Sequence, residues 1–366
     1  MSKTIAVIFG GNSNENEISV ITGTMAANVL ESGGESVIPV YLSQNSNIYA
    51  GQSLKEIAVF KDDGYKKAPR AVIADGGVYV LNARGRIKKF IKVDAALNCC
   101  HGGFGEGGGV SGLCQIAKIP LASAQVFESS AFIDKYLTKL ILKSLEIKTA
   151  EFAYLKSMKE LETCPNIPNF PLIVKPVTLG SSIGVEKAEN EEELKNAVEC
   201  GLLYDGAVIL EEYLQNRREI NCAAYYYDGE VITSECEEAI TQSDVLSFED
   251  KYTGGGKSVL PADLPADISG AIKQITQKVY KNLNMRGIVR FDFILSGGEI
   301  YLSEVNTVPG SLSYYLLSGG FKDFYRVLSQ VIKQAQTDFD AVQSKKLIKT
   351  GILANVPSNA CKLPHK

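Results

Sequence analysis

The chain has 366 residues, with 38 Lys and Arg against 42 Asp and Glu, which gives a net charge of −4. A chain of this length is typical of two or three domains, and it can bury enough surface to fold without a disulfide framework. Charges of the two signs are interspersed, which argues against a nucleic-acid or anionic-membrane partner, since both require concentrated positive charge.

The cysteines and the N-terminal segment predict a cytoplasmic location. The eight cysteines form no CxxC pair and are too sparse for a disulfide scaffold. The first ten residues lack the apolar core and cleavage site of a signal peptide. No run approaches the roughly 18 apolar residues of a membrane span. We therefore expect a soluble protein of a reducing cytoplasm.

Residues 1–125 predict a Rossmann-like α/β domain. The apolar runs IAVIFGG, SVIPVYL and VDAALNCC are typical of strands buried on both faces of a parallel sheet. A helix is expected over ISVITGTMAANVL, with Ile18, Ile21, Met25 and Val29 on its inner face. Two polar loops, GGNSNENE and HGGFGEGGG, follow strands. They should lie at the carboxyl edge of the sheet, where open α/β sheets bind ligands.

Residues 126–205 predict an α+β unit. A helix is expected over AFIDKYLTKLILKSL, and PLIVKP and VEKA are expected to be strands on either side of a GSSIG turn. The inner face of that helix should consist of Phe132, Leu137, Leu140, Ile141 and Leu145. A second helix over ENEEELKNAVECGLL should be capped by Asn190, with Glu193 completing a capping box.

Residues 206–344 predict a second α+β unit, and residues 345–366 a loose polar tail. The segments AVILEEYL and INCAAYYYDGEVITSE indicate antiparallel strands, and GIVRFDFILSGGEIYLSEVN indicates a hairpin. Between them lies a long amphipathic helix whose inner face should consist of Ile268, Ile272, Ile275, Val279 and Leu283.

The last hairpin has one apolar and one polar face. Side chains alternate along a strand, so Val289, Phe291, Phe293 and Leu295 should point away from Arg290 and Asp292. On the second strand, Tyr301 and Val305 should point away from Glu304 and Asn306.

The length of the hairpin loop decides which polar groups meet. A two-residue turn at the Gly-Gly pair would put Glu304 on the phenylalanine face. A three-residue loop that includes Glu299 instead pairs Asp292 with Glu304 and Arg290 with Asn306. We therefore predict the three-residue loop. It gathers hard oxygen ligands that suit Mg²⁺; the alternative is a half-exposed strand face with an Arg–Asp pair.

Two further segments have features of a nucleotide site. Lys175 ends an apolar strand and precedes the Gly-Ser-Ser loop, whose backbone N–H groups can wrap phosphate oxygens. The Walker A order is absent, and an ordinary hairpin turn is the alternative. Glu211 and Glu212 stand near a strand end whose backbone could contact an adenine edge, with Glu219 available for ribose hydroxyls. Solvated glutamates are the alternative there.

Histidine and cysteine chemistry has little support. His101 is the one histidine outside the C-terminal tail, so a Ser-His-Asp triad or a His-rich zinc site is excluded. We expect His101 to be a satisfied hydrogen-bonding residue, and the adjacent Cys99 and Cys100 to be small apolar fillers.

In their order and spacing, eight segments between residues 3 and 340 resemble the D-alanine–D-alanine ligase family of ATP-grasp enzymes. They are VIFGGNSNENEIS, HGGFGEGGGVSG, DKYLTK, VKPVTLGSSIG, ILEEYL, FEDKYTGGGK, VRFDF and SEVNTVPG. The resemblance implies a Rossmann-like N-terminal domain followed by a two-lobed ATP-grasp fold, with ATP and two Mg²⁺ ions (Mn²⁺ as a substitute) between the lobes. The implied reaction joins two amino acids through an acyl phosphate for peptidoglycan precursor synthesis, in a family that tends to dimerise.

The resemblance also implies nucleotide and metal ligands. The nucleotide contacts are Lys135, Lys175, Ser181, Ser182, Glu211, Glu212, Leu214, Glu219 and Lys251. The metal ligands are Asp292, Glu304 and Asn306.

Catalytic roles follow from the same resemblance. Glu15 matches the residue that orients the ammonium of the first amino acid, linked through Ser181 to Tyr252. Lys251, in a glycine-rich lid, would reach the γ-phosphate. Arg290 and the backbone of Gly310 would stabilise the tetrahedral oxyanion.

Four positions depart from the family pattern: Asn16, Gly107, Ser111 and Tyr315. They concern the amino-acid pocket, so the second substrate stays open: D-alanine, another amino acid or a hydroxy acid. A nucleotide-binding homologue without ligase activity is a further alternative. A Rossmann-type oxidoreductase is disfavoured because the first glycine loop lacks the GxGxxG spacing.

Overall fold

The computed structural model describes residues 2–240, 257–346 and 348–356. An α/β region is followed by two α+β regions, as the sequence predicts. None of the described helices combines the length and the apolar composition needed to cross a membrane.

The first region is built on a sheet of order β3-β2-β1-β7, in which β1 is parallel to both β2 and β7. Its strands are β1 (Thr4–Gly10), β2 (Ser36–Leu42), β3 (Ile48–Ala50) and β7 (Ala95–Asn98). Its helices are α1 (Asn16–Ser32), α2 (Ala58–Lys61) and α3 (Val110–Ile116). The predicted strands are confirmed, but Ile21 is 47% exposed, so the inner face predicted for α1 is wrong there.

A second, three-stranded antiparallel sheet lies in the same region and was not predicted. It consists of β4 (Ala71–Ala74), β5 (Gly77–Leu81) and β6 (Ile87–Lys92).

The second region is an antiparallel sheet of order β10-β9-β11-β8. Its strands are β8 (Phe152–Leu155), β9 (Leu172–Pro176), β10 (Glu186–Ala188) and β11 (Val208–Glu212). Its helices are α4 (Val126–Phe132), α5 (Lys135–Ser144), α6 (Met158–Leu161) and α7 (Glu191–Tyr204). The predicted cap of α7 is confirmed, because the Asn190 side chain accepts a hydrogen bond from the Glu193 N–H at 3.0 Å.

The single helix predicted over residues 131–145 is wrong, because two helices, α4 and α5, occupy this segment. Asp134 adopts an extended conformation, and its carboxylate caps α5 by accepting a hydrogen bond from the Leu137 N–H at 2.9 Å. The predicted inner face is also wrong in part: Leu137 and Leu140 are 41% and 42% exposed, whereas Lys139 is buried. The helix is rotated so that an amine, not these two leucines, faces the interior.

Among the described residues, the third region contains a six-stranded sheet of order β15-β14-β12-β16-β17, with β13 paired to β12. Its strands are β12 (Arg218–Tyr227), β13 (Glu230–Thr233), β14 (Glu237–Ile240), β15 (Lys257–Val259), β16 (Val289–Ser296) and β17 (Glu299–Asn306). Its helices are α8 (Ala266–Asn282), α9 (Tyr314–Leu317) and α10 (Phe321–Gln343). The amphipathic pattern of α8 is confirmed, and the helix packs with the apolar face of β16.

The predicted three-residue hairpin loop is wrong. Ser296 pairs with Glu299 across a two-residue Gly-Gly turn, and a β-bulge shifts the register between Asp292 and Phe293. The bulge still pairs Asp292 with Glu304, while Leu302 lies opposite Phe293, where the three-residue loop would put Ser303. Leu302, and not Tyr301, therefore shares the phenylalanine face. Without a bulge, either Leu302 would point to the polar face or Glu304 would point to the core. The extra residue allows Leu302 to face the core and Glu304 to face the cleft.

Helix α10 was not predicted, and it packs against the first region of the chain. Its buried residues Phe324, Leu328 and Val331 belong to the same core as Ile5 and Val7 of β1. The last long helix therefore closes the core of the first region.

Candidate active site

A cleft of about 510 Å³ opens between the carboxyl edge of the first sheet, the turn after β9 and the polar face of β16 and β17. Most of the predicted site residues line it: Glu15, Lys135, Lys175, Ser181, Ser182, Glu219, Arg290, Asp292, Glu304, Asn306 and Gly310. Glu211, Glu212 and Leu214 do not line the cleft, and Lys251 and Tyr252 lie outside the described residues.

The polar face of the hairpin forms a hydrogen-bonded cluster. Arg290 donates from Nε and Nη2 to the two oxygens of Asp292, at 2.7 and 2.8 Å. Asn306 donates from Nδ2 to Asp292 Oδ2 at 2.9 Å. Glu304, across the ladder from Asp292, has its Oε1 4.0 Å from the Lys135 amine. Two carboxylates and an amide are thus held within one strand pair.

This donor set fits Mg²⁺. The Asn306 amide nitrogen donates to Asp292, which leaves the Asn306 amide oxygen pointing away from Asp292. Within the described ranges, no cluster of three or more His, Cys, Asp or Glu side chains forms a metal site, so two carboxylates and an amide would need oxygens from other groups to complete the coordination. Mg²⁺ is typically bound by one or two carboxylates and completes its octahedron with phosphate and water oxygens.

The turn after β9 brings a serine to the first region. The Ser181 hydroxyl donates a hydrogen bond to Glu15 Oε1, which is a contact that the family resemblance implies. Ser181 and Ser182 have φ of 53° and 58°, and left-handed turns of this kind form concavities of backbone N–H groups that bind anions. Gly180 permits the close approach of this turn to Glu15, because a Cβ at position 180 would lie 2.7 Å from Glu15 Oε2.

A buried triad of charges lies under the cleft. The Glu211 carboxylate contacts the Lys139 amine at 3.2 Å through Oε1 and the Lys175 amine at 3.0 Å through Oε2. Burial opposes ionisation of Glu211, but the two lysine charges outweigh it and lower its pKa to about 2. Lys139 was missed by the sequence reasoning. Its position four residues after Lys135, on the same side of a helix, is the signal that could have identified it.

The other predicted nucleotide contacts follow along β11 and β12. The backbone N–H groups of Glu212 and Tyr213 already donate to the carbonyls of Glu151 and Pro171. Glu219 borders the cleft and pairs with Arg217 at 3.4 Å. Leu214 is buried.

His101 connects the first region to the loop that carries Gly310. The Thr22 hydroxyl accepts a hydrogen bond from the Ser311 N–H at 3.0 Å and lies 2.8 Å from His101 Nε2. Which of the two groups donates depends on the tautomer of the imidazole. Burial lowers the pKa of His101 to about 4, so the imidazole is neutral near pH 7. Its hydrogen bond with Thr22 confirms the expectation of a satisfied hydrogen-bonding residue. Cys99 and Cys100 are fully buried, as expected of fillers.

Glu106 was also missed, and it ties the same two loops together. Its Oε2 accepts from the Gly102 N–H at 2.7 Å, and its Oε1 accepts from the Val308 N–H at 3.4 Å. Burial, together with the nearby charge of Glu15, raises its pKa to about 7. Its position in the HGGFGEGGG loop was the available sequence signal.

Among the four departures from the family pattern, Tyr315 is the residue that lines the cleft. Burial raises its pKa to about 12, and its hydroxyl is within hydrogen-bonding reach of Arg290. Asn16 is buried and donates to the Gly11 carbonyl at 2.6 Å. Ser111 donates to the Ala124 carbonyl at 2.8 Å, and the Gly107 carbonyl accepts from Ser130 at 2.9 Å. These three positions support the loops rather than the cleft.

Comparison with known proteins gives consistent similarities along the chain. A family model described as the D-ala D-ala ligase N-terminus matches residues 4–124, and one described as the D-ala D-ala ligase C-terminus matches residues 141–324. A D-alanine–D-alanine ligase of Thermosipho melanesiensis is 33% identical over 353 residues, covering 94% of this chain and 96% of that protein.

Two solved structures show the same architecture. The D-alanine–D-alanine ligase of Helicobacter pylori is similar with a TM-score of 0.76 and 29% identity, covering 90% of this chain and 98% of that one. The VanG D-Ala:D-Ser ligase of Enterococcus faecalis is similar with a TM-score of 0.74 and 27% identity, covering 93% and 100%. The predicted Rossmann-like domain followed by an ATP-grasp fold is thus confirmed.

Proposed function

Because the chain belongs to the D-alanine–D-alanine ligase family, we propose that it joins D-alanine to a second D-alanine, or to a variant second substrate. The reaction would consume ATP, form ADP and phosphate, and supply a dipeptide for peptidoglycan precursors. The observation that carries this proposal is the convergence of the Glu15–Ser181 contact, the lysines and the polar hairpin face on one cleft.

The chemistry requires activation of a carboxylate. A carboxylate does not react with an amine until one of its oxygens becomes a leaving group, and transfer of a phosphoryl group achieves this. Phosphoryl transfer depends on positioning and charge neutralisation rather than on a protein nucleophile. The cleft provides cationic and backbone groups for that purpose.

Several of the predicted residues have a place in this scheme. Lys135, Lys175 and the Ser181–Ser182 turn would hold the phosphates, and Glu15 would orient the ammonium of the first amino acid. Arg290, held by Asp292, would stabilise the oxyanion together with the Gly310 N–H.

Members of this family use ATP and Mg²⁺. Here Asp292, Glu304 and Asn306 would hold two Mg²⁺ ions, or Mn²⁺ in their place, whose charge offsets that of the terminal phosphates. The roles of Lys251 and Tyr252 stay predictions. A homodimer, and domain boundaries near residues 125, 205 and 344, are further parts of the proposal that the family resemblance supports.

The identity of the second substrate is the finer question. Tyr315, at a position where the family pattern has serine, borders the cleft beside Arg290. A bulky phenol there favours a modified acceptor pocket. D-alanine stays the first choice because the relatives compared above include ligases of that name.

Phosphate release tests the proposal. The purified chain is incubated with ATP, Mg²⁺ and D-alanine alone, and in parallel with D-alanine paired with D-serine or D-lactate. We expect rapid phosphate release with D-alanine alone. Faster release with a pair would identify a variant acceptor. ATP binding without turnover on any pair would favour the non-catalytic homologue and contradict the proposal.

A further inference from the structure

Lys139 is a buried cation whose function no sequence motif assigns. Its side chain is 1% exposed, and its amine contacts Glu211 Oε1 at 3.2 Å and the Thr149 hydroxyl at 2.8 Å. A lysine is almost never buried to this extent unless it is paired. The pairing with Glu211 is therefore what keeps this side chain inside the protein.

Lys139 and Lys175 share one carboxylate but differ in access to the cleft. Lys175 borders the cleft and contacts the other oxygen of Glu211, at 3.0 Å. Lys139 is sealed behind Glu211 and does not line the cleft. Of these two amines, therefore, Lys175 alone can meet a ligand.

The two lysines also differ in how firmly they hold their protons. Burial and the charge of Lys175 lower the pKa of Lys139, although Glu211 opposes this. Burial acts against the charge of Lys175 as well, but Glu211 and Glu304 outweigh it and raise the pKa of Lys175. Two cations against one buried carboxylate leave one positive charge in excess. Lys175 is the one of the two lysines that borders the cleft.

We infer that Lys139 is a positioning residue for nucleotide binding: it is the permanent counter-ion of Glu211 that allows Lys175 to leave Glu211 for the phosphates. The inference rests on the proposed function. If Lys175 turned to a phosphate without Lys139 in place, Glu211 would be a buried charge with no partner, which is strongly unfavourable. With Lys139 in place, Glu211 stays ionised and held through Oε1, while Oε2 becomes available to the nucleotide.

The variant that tests this is Lys139→Met, which keeps an unbranched side chain one atom shorter than lysine and removes its charge. Binding of Mg-ATP is measured by calorimetry, so no turnover is needed. We expect the Kd for ATP to rise at least tenfold, because Lys175 is then the sole cation on Glu211. The matched control is Lys143→Met, one turn later on α5, where an exposed lysine pairs with exposed Glu151. Its Kd should stay within twofold of the wild-type value.

A second background separates positioning from packing. In Glu211→Gln, the carboxylate is gone and Lys139 has no charge to compensate. Lys139→Met should therefore change the Kd less than threefold in that background. Equal losses in both backgrounds would show that Lys139 only fills space, and no loss in the wild-type background would also overturn the inference. If Lys139→Met does not fold, Lys139→Gln is used in both backgrounds.

Failure of the inference differs from failure of the proposed function. If the wild-type chain binds no Mg-ATP, the proposed function is wrong. If the wild-type chain binds it and Lys139→Met binds it equally well, the function stands and the inference is wrong.

Discussion

Single residues in the cleft are held by charges that neutralise one another. Asp292 holds Arg290 through two hydrogen bonds, and Glu211 holds Lys175 and Lys139. Arg290, which would meet the oxyanion, is thus oriented by a carboxylate before any ligand binds. Preorganised charge of this kind needs little rearrangement when a reaction develops charge.

The first prediction concerns the metal ligands. Glu304→Ala should abolish turnover while the free energy of unfolding changes by less than about 1 kcal/mol, because a ligand is lost but no core volume. Asp292→Ala should have the same effect on turnover. Steady-state rates and urea denaturation measure the two quantities.

Glu299→Ala is the control for the metal ligands. It removes a carboxylate from the same strand, where Glu299 makes an exposed pair with Lys148 at 3.1 Å. Turnover should be unchanged in it. If Glu304→Ala kept more than about a tenth of the rate, a deficit under about 1.4 kcal/mol in the barrier, the metal assignment would be wrong.

The second prediction concerns pH and Glu106. Its pKa is raised from 4.5 to about 7 in the folded chain, so the folded state binds the proton more tightly than the unfolded state. The stability that follows is fully present below about pH 4.5 and is lost as the pH rises through 7. Relative to Glu106→Gln, the wild-type chain should lose about 2 kcal/mol of unfolding free energy between pH 5 and pH 8. Urea denaturation of both proteins at both pH values measures this loss. An equal change in unfolding free energy in the wild-type chain and in Glu106→Gln would contradict it.

Among elements, the β16–β17 hairpin shows how core and site constrain the same strand. Leu302 and Val305 are buried on the phenylalanine face, while Glu304 and Asn306 line the cleft. Residues 302 and 305 are three apart, so a regular strand cannot bury both. The bulge at Ser303 resolves the conflict.

The third prediction tests that bulge. Leu302 is 1% exposed, so Leu302→Ala should lower the free energy of unfolding by about 2–5 kcal/mol. Ser303→Ala should change it by less than about 0.5 kcal/mol, since Ser303 is outside the core. Urea denaturation of both variants shows which substitution lowers the free energy of unfolding more. A cost below about 0.5 kcal/mol for Leu302→Ala would favour the three-residue loop, which puts Ser303 instead of Leu302 in the core.

Helix α5 illustrates a limit of periodicity. The leucines of its sequence predict an apolar inner face, but the buried side contains Thr138, Lys139 and Leu142. Glu211 lies more than 70 positions later in the chain, and its charge compensates the buried amine. No pattern within the helix could contain that information.

In the whole molecule, α10 unites regions that are far apart in sequence. Its apolar side chains share a core with β1 and α1, and that core also contains Val308 and Leu312 of the loop beside the cleft. Packing of the last helix therefore supports the position of Gly310 relative to Glu15.

The fourth prediction tests this packing. Leu328 is fully buried in that core, so Leu328→Ala should lower the free energy of unfolding by about 2–5 kcal/mol. Arg326→Ala, on the same helix but with a side chain that is 76% exposed, should change it by less than about 0.5 kcal/mol. Circular dichroism in urea measures both. Equal effects of the two substitutions would show that α10 contributes no core.

The sequence alone places Asp292 opposite Glu304, but through a three-residue loop where the structure has a two-residue turn and a bulge. The sequence also predicts the capped helix α7 and most strands of the three main sheets, though not β3, β8, β14 or β15. These depend on short-range alternation and on turn and cap residues, which a linear pattern records. Only the tertiary structure decided that Lys139 faces Glu211, that Thr22 joins His101 to Ser311, and that α10 packs on β1. Those contacts join residues tens to hundreds of positions apart, and their stability comes from shared burial and charge compensation, which no local pattern contains.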